Sequence, residues 1–159
     1  MAVKSRRIGK KVSYYVPRNW NKYKGKKNPQ ARSSWERMFM QWLDSNPNVL
    51  EWSSESTIIY YYDPIRSIKR RYYPDFYIKI LNRDKKIVTY IVELKPYHET
   101  NLPIDTGRKS KKTLDYQKTT YIINQAKFKA AEEYCKKLGI RFKLLTEKEL
   151  FNKWKQKTE

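Results

Sequence analysis

The sequence predicts an α/β layered domain, with helices packed on a mostly antiparallel or mixed sheet and a basic arm in front. Three observations predict it. The chain has 159 residues, 39% hydrophobic and 15% aromatic, which suits one domain with its own core and is too apolar for a disordered basic tail. Apolar residues recur at helical spacing in two stretches, and they alternate in strand fashion between and beyond them. The net charge is +20, and residues 1–35 hold eleven Lys or Arg but no Asp or Glu. Charge of this size and sign implies a polyanionic partner, nucleic acid before an anionic membrane surface.

Residues 1–30 carry Gly9, Pro17, Gly25 and Pro29 and show no sustained periodicity. They read as a basic arm, and residues 31–159 as a single domain. Arg6, Arg7, Lys10, Lys11, Lys22, Lys24, Lys26 and Lys27 are the arm's candidate phosphate contacts. The interleaved Tyr14, Tyr15, Trp20 and Tyr23 either stack on bases or pack down on the body. Ser33 and Glu36 then form a capping box, which starts a helix whose apolar face is Trp35, Met38, Phe39, Trp42 and Leu43. Asn46-Pro47 ends it. Strand-like runs follow at Val49–Ser53 and Thr57–Tyr62, with a turn at Asp63-Pro64.

A third run, 71–81, alternates Phe76, Ile78 and Ile80 with Asp75, Tyr77 and Lys79. Asn82-Arg83-Asp84 signals a turn, and Ile87–Lys95 is a fourth run, ended by Pro96; these two runs read as a β-hairpin. The polar segment 97–113 reads as a long loop, in which Arg108, Lys109, Lys111 and Lys112 form a second basic patch. Residues 115–138 read as a helix, closed by Gly139. Residues 140–145 read as a strand, and Thr146 with Glu149 caps a short last helix near 147–155.

Composition also excludes chemistries. Cys135 and His98 are the only residues of their types, so an internal disulfide and a Cys/His zinc site are ruled out, and the single histidine argues against histidine-based nuclease chemistry. Cys135 reads as a small packed residue, and His98 as a bystander or a phosphate contact. No apolar run reaches the ~20 residues of a membrane span, and no secretory signal opens the chain. A reducing, cytosolic setting fits.

The hairpin carries the chemistry. Glu93 and Lys95, two apart on one strand, project to the same side, and the hairpin can bring Asp75 beside them. Two carboxylates and a lysine at one point suit Mg²⁺ or Mn²⁺, which prefer hard oxygen ligands. Such a site can deprotonate a metal-bound water and stabilise a phosphorane-like transition state. Glu93 ends an apolar strand, where an unpartnered charge is costly. The Asp84-Lys85-Lys86 triplet lies in the turn and lacks that context.

Pro74-Asp75 followed by Glu93-Leu94-Lys95 resembles the PD-(D/E)xK nuclease superfamily. Ser33–Met40, Asn46-Pro47, Tyr72–Phe76, Asn124–Lys127 and Ala130–Glu132, in series over residues 30–150, resemble the head completion nucleases of T-even-type tailed phages. The resemblance implies a restriction-endonuclease-like core, a central mixed sheet flanked by helices. It implies Asp75 and Glu93 as ligands of Mg²⁺ or Mn²⁺, with the Leu94 carbonyl as a third oxygen. Lys95 becomes the catalytic lysine and Glu36 a helix-borne acid, a role that competes with its place in the capping box. Gln125 and Lys127 match a helix-borne polar pair. Helical geometry puts Lys127 inside the apolar stripe and Gln125 on the far side.

By the same resemblance the chain would be a Mg²⁺-dependent endodeoxyribonuclease of the phage head. It would process packaged DNA ends before tail attachment and leave a 5′-phosphate and a 3′-hydroxyl. Its partners would be DNA, mainly through the backbone, and capsid portal or neck proteins. Its place would be the host cytoplasm during infection, or the virion, and no membrane. The alternatives are a junction resolvase or transposon-end nuclease on the same fold, and a non-catalytic DNA-binding capsid or neck protein.

Overall fold

A computed structural model describes residues 13–150. In chain order its elements are β1 (Ser13–Tyr14), β2 (Gln30–Ala31), α1 (Ser34–Ser45), β3 (Val49–Ser54), β4 (Ile59–Asp63), β5 (Ile68–Tyr72), β6 (Phe76–Leu81), β7 (Ile87–Leu94), α2 (Lys111–Leu138) and β8 (Arg141–Leu145). The central sheet runs β3-β6-β7-β8. Its first three strands are antiparallel, and β8 lies parallel to β7. This is the expected α/β fold with a mixed sheet, and the parallel pair follows from the long α2 crossover between β7 and β8.

α1 starts as its capping box dictates. The Ser33 Oγ accepts from the Glu36 N–H at 3.1 Å, and Glu36 Oε2 accepts from the Arg32 N–H at 2.9 Å. Phe39, Met40 and Leu43 are buried against one face of the sheet with Val49, Trp52, Phe76, Val92 and Leu94. α2 covers the other face, where Ala131 and Cys135 meet Ile91, Ile59, Tyr61 and Tyr72. Burial pushes the Cys135 thiol up to about 11, in keeping with a packed residue. α2 begins one turn earlier than its apolar periodicity suggests, because Ser110 caps it through the Thr113 N–H. Gly139 ends it at φ 66°, a conformation glycine adopts without a Cβ penalty.

Two expectations change. The run 71–81 is two strands. Pro74, which has no N–H to give a ladder, interrupts it, so Asp75 lies in the bend before β6 rather than inside a strand. The first half belongs instead to a separate hairpin, β4–β5, in which Ile59 pairs with Tyr72 and Asp63 with Ile68. The stretch read as an arm is, from residue 13, part of the folded body. β1 pairs with β2, and Tyr23 meets Trp52 at a centroid distance of 4.8 Å. Asp44, buried at the end of α1, accepts from the Tyr15 hydroxyl at 3.2 Å and from the Arg18 and Asn19 N–H groups at 2.8 and 3.0 Å. Burial and the Asp44 carboxylate push the Tyr15 phenol up to about 12. The last helix starts at residue 147, as read, and residues 151–159 lie outside the described residues. Among the described residues no helix is long and apolar enough to cross a membrane.

Candidate active site

The β6–β7 register, Phe76 opposite Val92, sets Asp75 against Glu93. The two residues lock each other through the backbone. The Leu94 N–H donates to Asp75 Oδ2 at 2.8 Å, and the Asp75 N–H donates to Glu93 Oε2 at 3.3 Å. Glu93 Oε2 also accepts from the Tyr72 hydroxyl at 2.9 Å. Glu93 Oε1 faces the Lys95 ammonium at 3.4 Å. Glu93 is buried, with 7% of its surface exposed, so this charge depends on its partners.

Electrostatics make the pair reluctant anions. Burial, then the neighbouring Glu93 charge, raises the Asp75 carboxyl well above the usual carboxylate range. The Leu94 N–H and Lys95 oppose that, and the Glu36 charge adds to it. Burial likewise raises Glu93, against the pull of Lys95, the Tyr72 hydroxyl and the Asp75 N–H. Burial and the Glu93 carboxylate raise the Tyr72 phenol, so it stays a donor. Two hard-oxygen carboxylates held together against their own repulsion are a donor set that a small divalent cation fits.

Lys127 projects from α2 into this neighbourhood. Its ammonium lies 5.6 Å from the Tyr72 ring centroid and 5.7 Å from that of Tyr61. Burial, then the Lys95 charge, lowers its pKa, and Glu93 works against that. Gln125 is exposed on α2. Glu36 contributes charge to Asp75 while both its oxygens serve the capping box, Oε1 accepting from Ser33 Oγ at 3.3 Å. Among the described residues no three His, Cys, Asp or Glu side chains gather into a cluster that could hold a metal ion. A groove of about 740 Å³ between α1 and β6–β8 contains none of Asp75, Glu93 or Lys95.

Tyr72 was not singled out by sequence reasoning. Its signals are its place three residues before Asp75 and at the head of the Tyr72–Phe76 block, on a strand that shows no apolar alternation. The basic residues divide. Lys24, Lys26, Lys27, Arg108, Lys111 and Lys112 are exposed. Lys22, expected on DNA, instead holds the last carbonyls of α1, at 3.1 Å from Asp44 O and 2.8 Å from Asn46 O. Lys109 is tied to Gln117 Oε1 at 2.9 Å and Ile104 O at 3.3 Å. Arg6, Arg7, Lys10 and Lys11 lie outside the described residues. His98 is exposed, with Glu99 at 3.9 Å.

Residues 46–147 match the family model for the N-terminal domain of TnsA-like endonucleases. The chain is 36% identical over 137 residues to the "Head completion nuclease" of Enterobacteria phage T4, covering 84% of this chain and 89% of that protein. No solved structure matches.

Proposed function

The chain belongs to the TnsA-like endonuclease family and is a DNA endonuclease; from that premise we propose that it is divalent-metal-dependent and processes the ends of packaged phage DNA during head completion, before the tail joins. The observation that carries the chemical half is the interlocked Asp75–Glu93 pair with Lys95 against it. The similarity to the phage T4 protein supports the biological half. Mg²⁺ is the proposed ion, with Mn²⁺ as a substitute.

Asp75 and Glu93 would hold the ion, the Leu94 carbonyl adding a backbone oxygen and Glu36 supporting charge. When bound, such an ion polarises the phosphodiester and lowers the pKa of a water. Lys95, already paired with Glu93, orients the attacking water and offsets charge building on the phosphate. Tyr72 fixes the Glu93 rotamer by donating to Oε2, which leaves Oε1 for Lys95. Lys127 adds a half-buried cation on the α2 side. The cut leaves a 5′-phosphate and a 3′-hydroxyl. Lys24, Lys26, Lys27, Arg108, Lys111 and Lys112 grip the backbone without reading bases. Portal or neck proteins are the proposed partners, and the host cytoplasm or the virion the proposed place.

The test is nicking of supercoiled plasmid by the wild type and by Glu93→Gln, each with Mg²⁺ and with EDTA. Nicking by the wild type with Mg²⁺ alone is expected. If wild type and variant both leave the plasmid intact while binding it equally, the enzyme reading fails.

A further inference from the structure

The β4–β5 hairpin stands outside the central sheet, and its inner face is fixed. Ile59, Tyr61 and Tyr72 are buried at 2%, 5% and 5% exposure beneath α2. Its one carboxylate, Asp63, is neutralised by Arg66 and Arg70 at 3.2 and 3.3 Å. Among the described residues the outer face has no such cover. Tyr60 and Tyr62, two apart on β4, share it and are 53% and 60% exposed. Directly across the ladder stand Arg71 and Lys69.

The Lys69 ammonium sits 4.9 Å from the Tyr60 ring centroid, and the Arg71 guanidinium lies beside the Tyr60 and Tyr73 hydroxyls. The Tyr62 side chain has no ring, hydrogen-bond or ion-pair partner among the described residues. A solvent-facing pair of aromatic rings framed by cations is complementary to a polyanion that carries flat rings. Strand geometry sets the two tyrosines about 6–7 Å apart, roughly twice the ~3.4 Å step of a stacked strand. Duplex bases are already stacked and cannot use both rings, whereas an unpaired strand can. The hairpin also leads straight to the cut: Tyr72 bonds Glu93, and Tyr73 precedes Pro74-Asp75.

We propose that the outer face of the β4–β5 hairpin is a base-stacking platform, and that the preferred substrate is DNA with a single-stranded segment adjoining the scissile phosphate. The substrate half rests on the endonuclease reading above; the binding half stands apart from it. Ring stacking supplies affinity without base specificity, and Lys69 and Arg71 take the phosphates.

The test measures binding of a labelled mixed-sequence single strand, and of the same sequence as a duplex, by the full chain in EDTA. Both tyrosines are exposed, so Tyr60→Ala/Tyr62→Ala should keep the wild-type melting temperature. The double alanine variant should lose at least about tenfold in single-strand affinity and stay within about twofold on duplex. Tyr60→Phe/Tyr62→Phe should bind as the wild type does. The proposal is overturned by an alanine variant that binds single strands normally, by equal losses on both DNAs, or by a phenylalanine variant as weak as the alanine one. Equal losses would mark a phosphate patch alone, and no loss would leave the face to a protein partner. Binding in EDTA is independent of cleavage, so a failed nicking assay and a failed platform are told apart.

Discussion

The two hairpins, β4–β5 and β6–β7, are consecutive and meet where Tyr72 bonds Glu93, yet they are built by different rules. β6–β7 lies in the middle of the sheet between two helices. Phe76 and Ile78 on β6, and Ile91, Val92 and Leu94 on β7, are buried, so apolar burial sets its register, which the Asp75–Glu93 contacts lock at one end. β4–β5 buries one face only. Its second strand, Ile68-Lys69-Arg70-Arg71-Tyr72, buries just Tyr72, and a buried carboxylate organises its turn. The central hairpin supplies the acids; the outer one supplies the hydroxyl that aims one of them. A buried carboxylate can thus be aimed from a hairpin that buries one face only, its inner residues packed beneath α2 and its turn held by Asp63.

The largest expected effect comes from the central hairpin. Glu93→Gln keeps the volume and can still accept from Tyr72 and the Asp75 N–H, but it loses the charge opposite Lys95. Plasmid nicking should fall by more than about a hundredfold, since even partners of a ligand commonly cost 10–100-fold. Melting temperature should hold or rise, because a charge held against its own burial is gone. The same pair carries a pH signature. Both carboxyls are raised in the folded chain, so the metal-free protein is favoured below the ordinary carboxylate range and loses that advantage as pH rises through the raised values. A scan of melting temperature against pH in EDTA should show the decline, and Mg²⁺ should oppose it at the upper end. A flat scan, identical with and without Mg²⁺, would contradict the paired-carboxylate site.

From the outer hairpin, Tyr72→Phe removes one hydroxyl from Glu93 Oε2 and nothing from the ring packing. Activity should fall by about 10–100-fold, with a stability loss of about 1 kcal/mol. Wild-type nicking rates in this variant would show that the outer hairpin is scaffold only, and would separate it from the chemistry.

These differences explain what could be read from the sequence. The alternation of Phe76, Ile78 and Ile80, the turn at Asn82 and the Glu93/Lys95 spacing are local signals of burial on defined faces, and the fold obeys them. β5 could not be read, because a strand that buries one residue has no period. Tyr72 could not be assigned for the same reason: its hydroxyl reaches Glu93 only once that strand exists. Asp75 reads as part of one strand run, 71–81, because the break at Pro74 separates two pairings that the sequence runs together. Tyr15 and Tyr23, interleaved with lysines, fit either base stacking or packing; packing is decided for Tyr15 by the buried Asp44, which directly follows Leu43, and for Tyr23 by Trp52, and neither contact is local in the sequence.

The turns give the last and smallest contrast. In β4–β5, Asp63 Oδ1 accepts from the Ile65 and Arg66 N–H groups at 2.9 and 3.0 Å. Burial alone would raise this carboxyl, but those donors and the Arg70 and Arg66 guanidiniums hold it below the usual range. The stability it contributes is therefore present above the ordinary carboxylate pKa and is lost as pH falls through the depressed one. Asp63→Asn should lower the melting temperature at neutral pH and shrink that acid-side loss. In β6–β7 the corresponding turn is closed by a neutral group: Asn82 Oδ1 accepts from the Lys86 N–H at 2.9 Å, in the open. Asn82→Ala should cost about 0.5–1.5 kcal/mol, equally at acidic and neutral pH. Urea melts of both variants at two pH values would check the pair, and a pH-dependent cost at Asn82, or a pH-independent one at Asp63, would show that charge does not set the two turns apart.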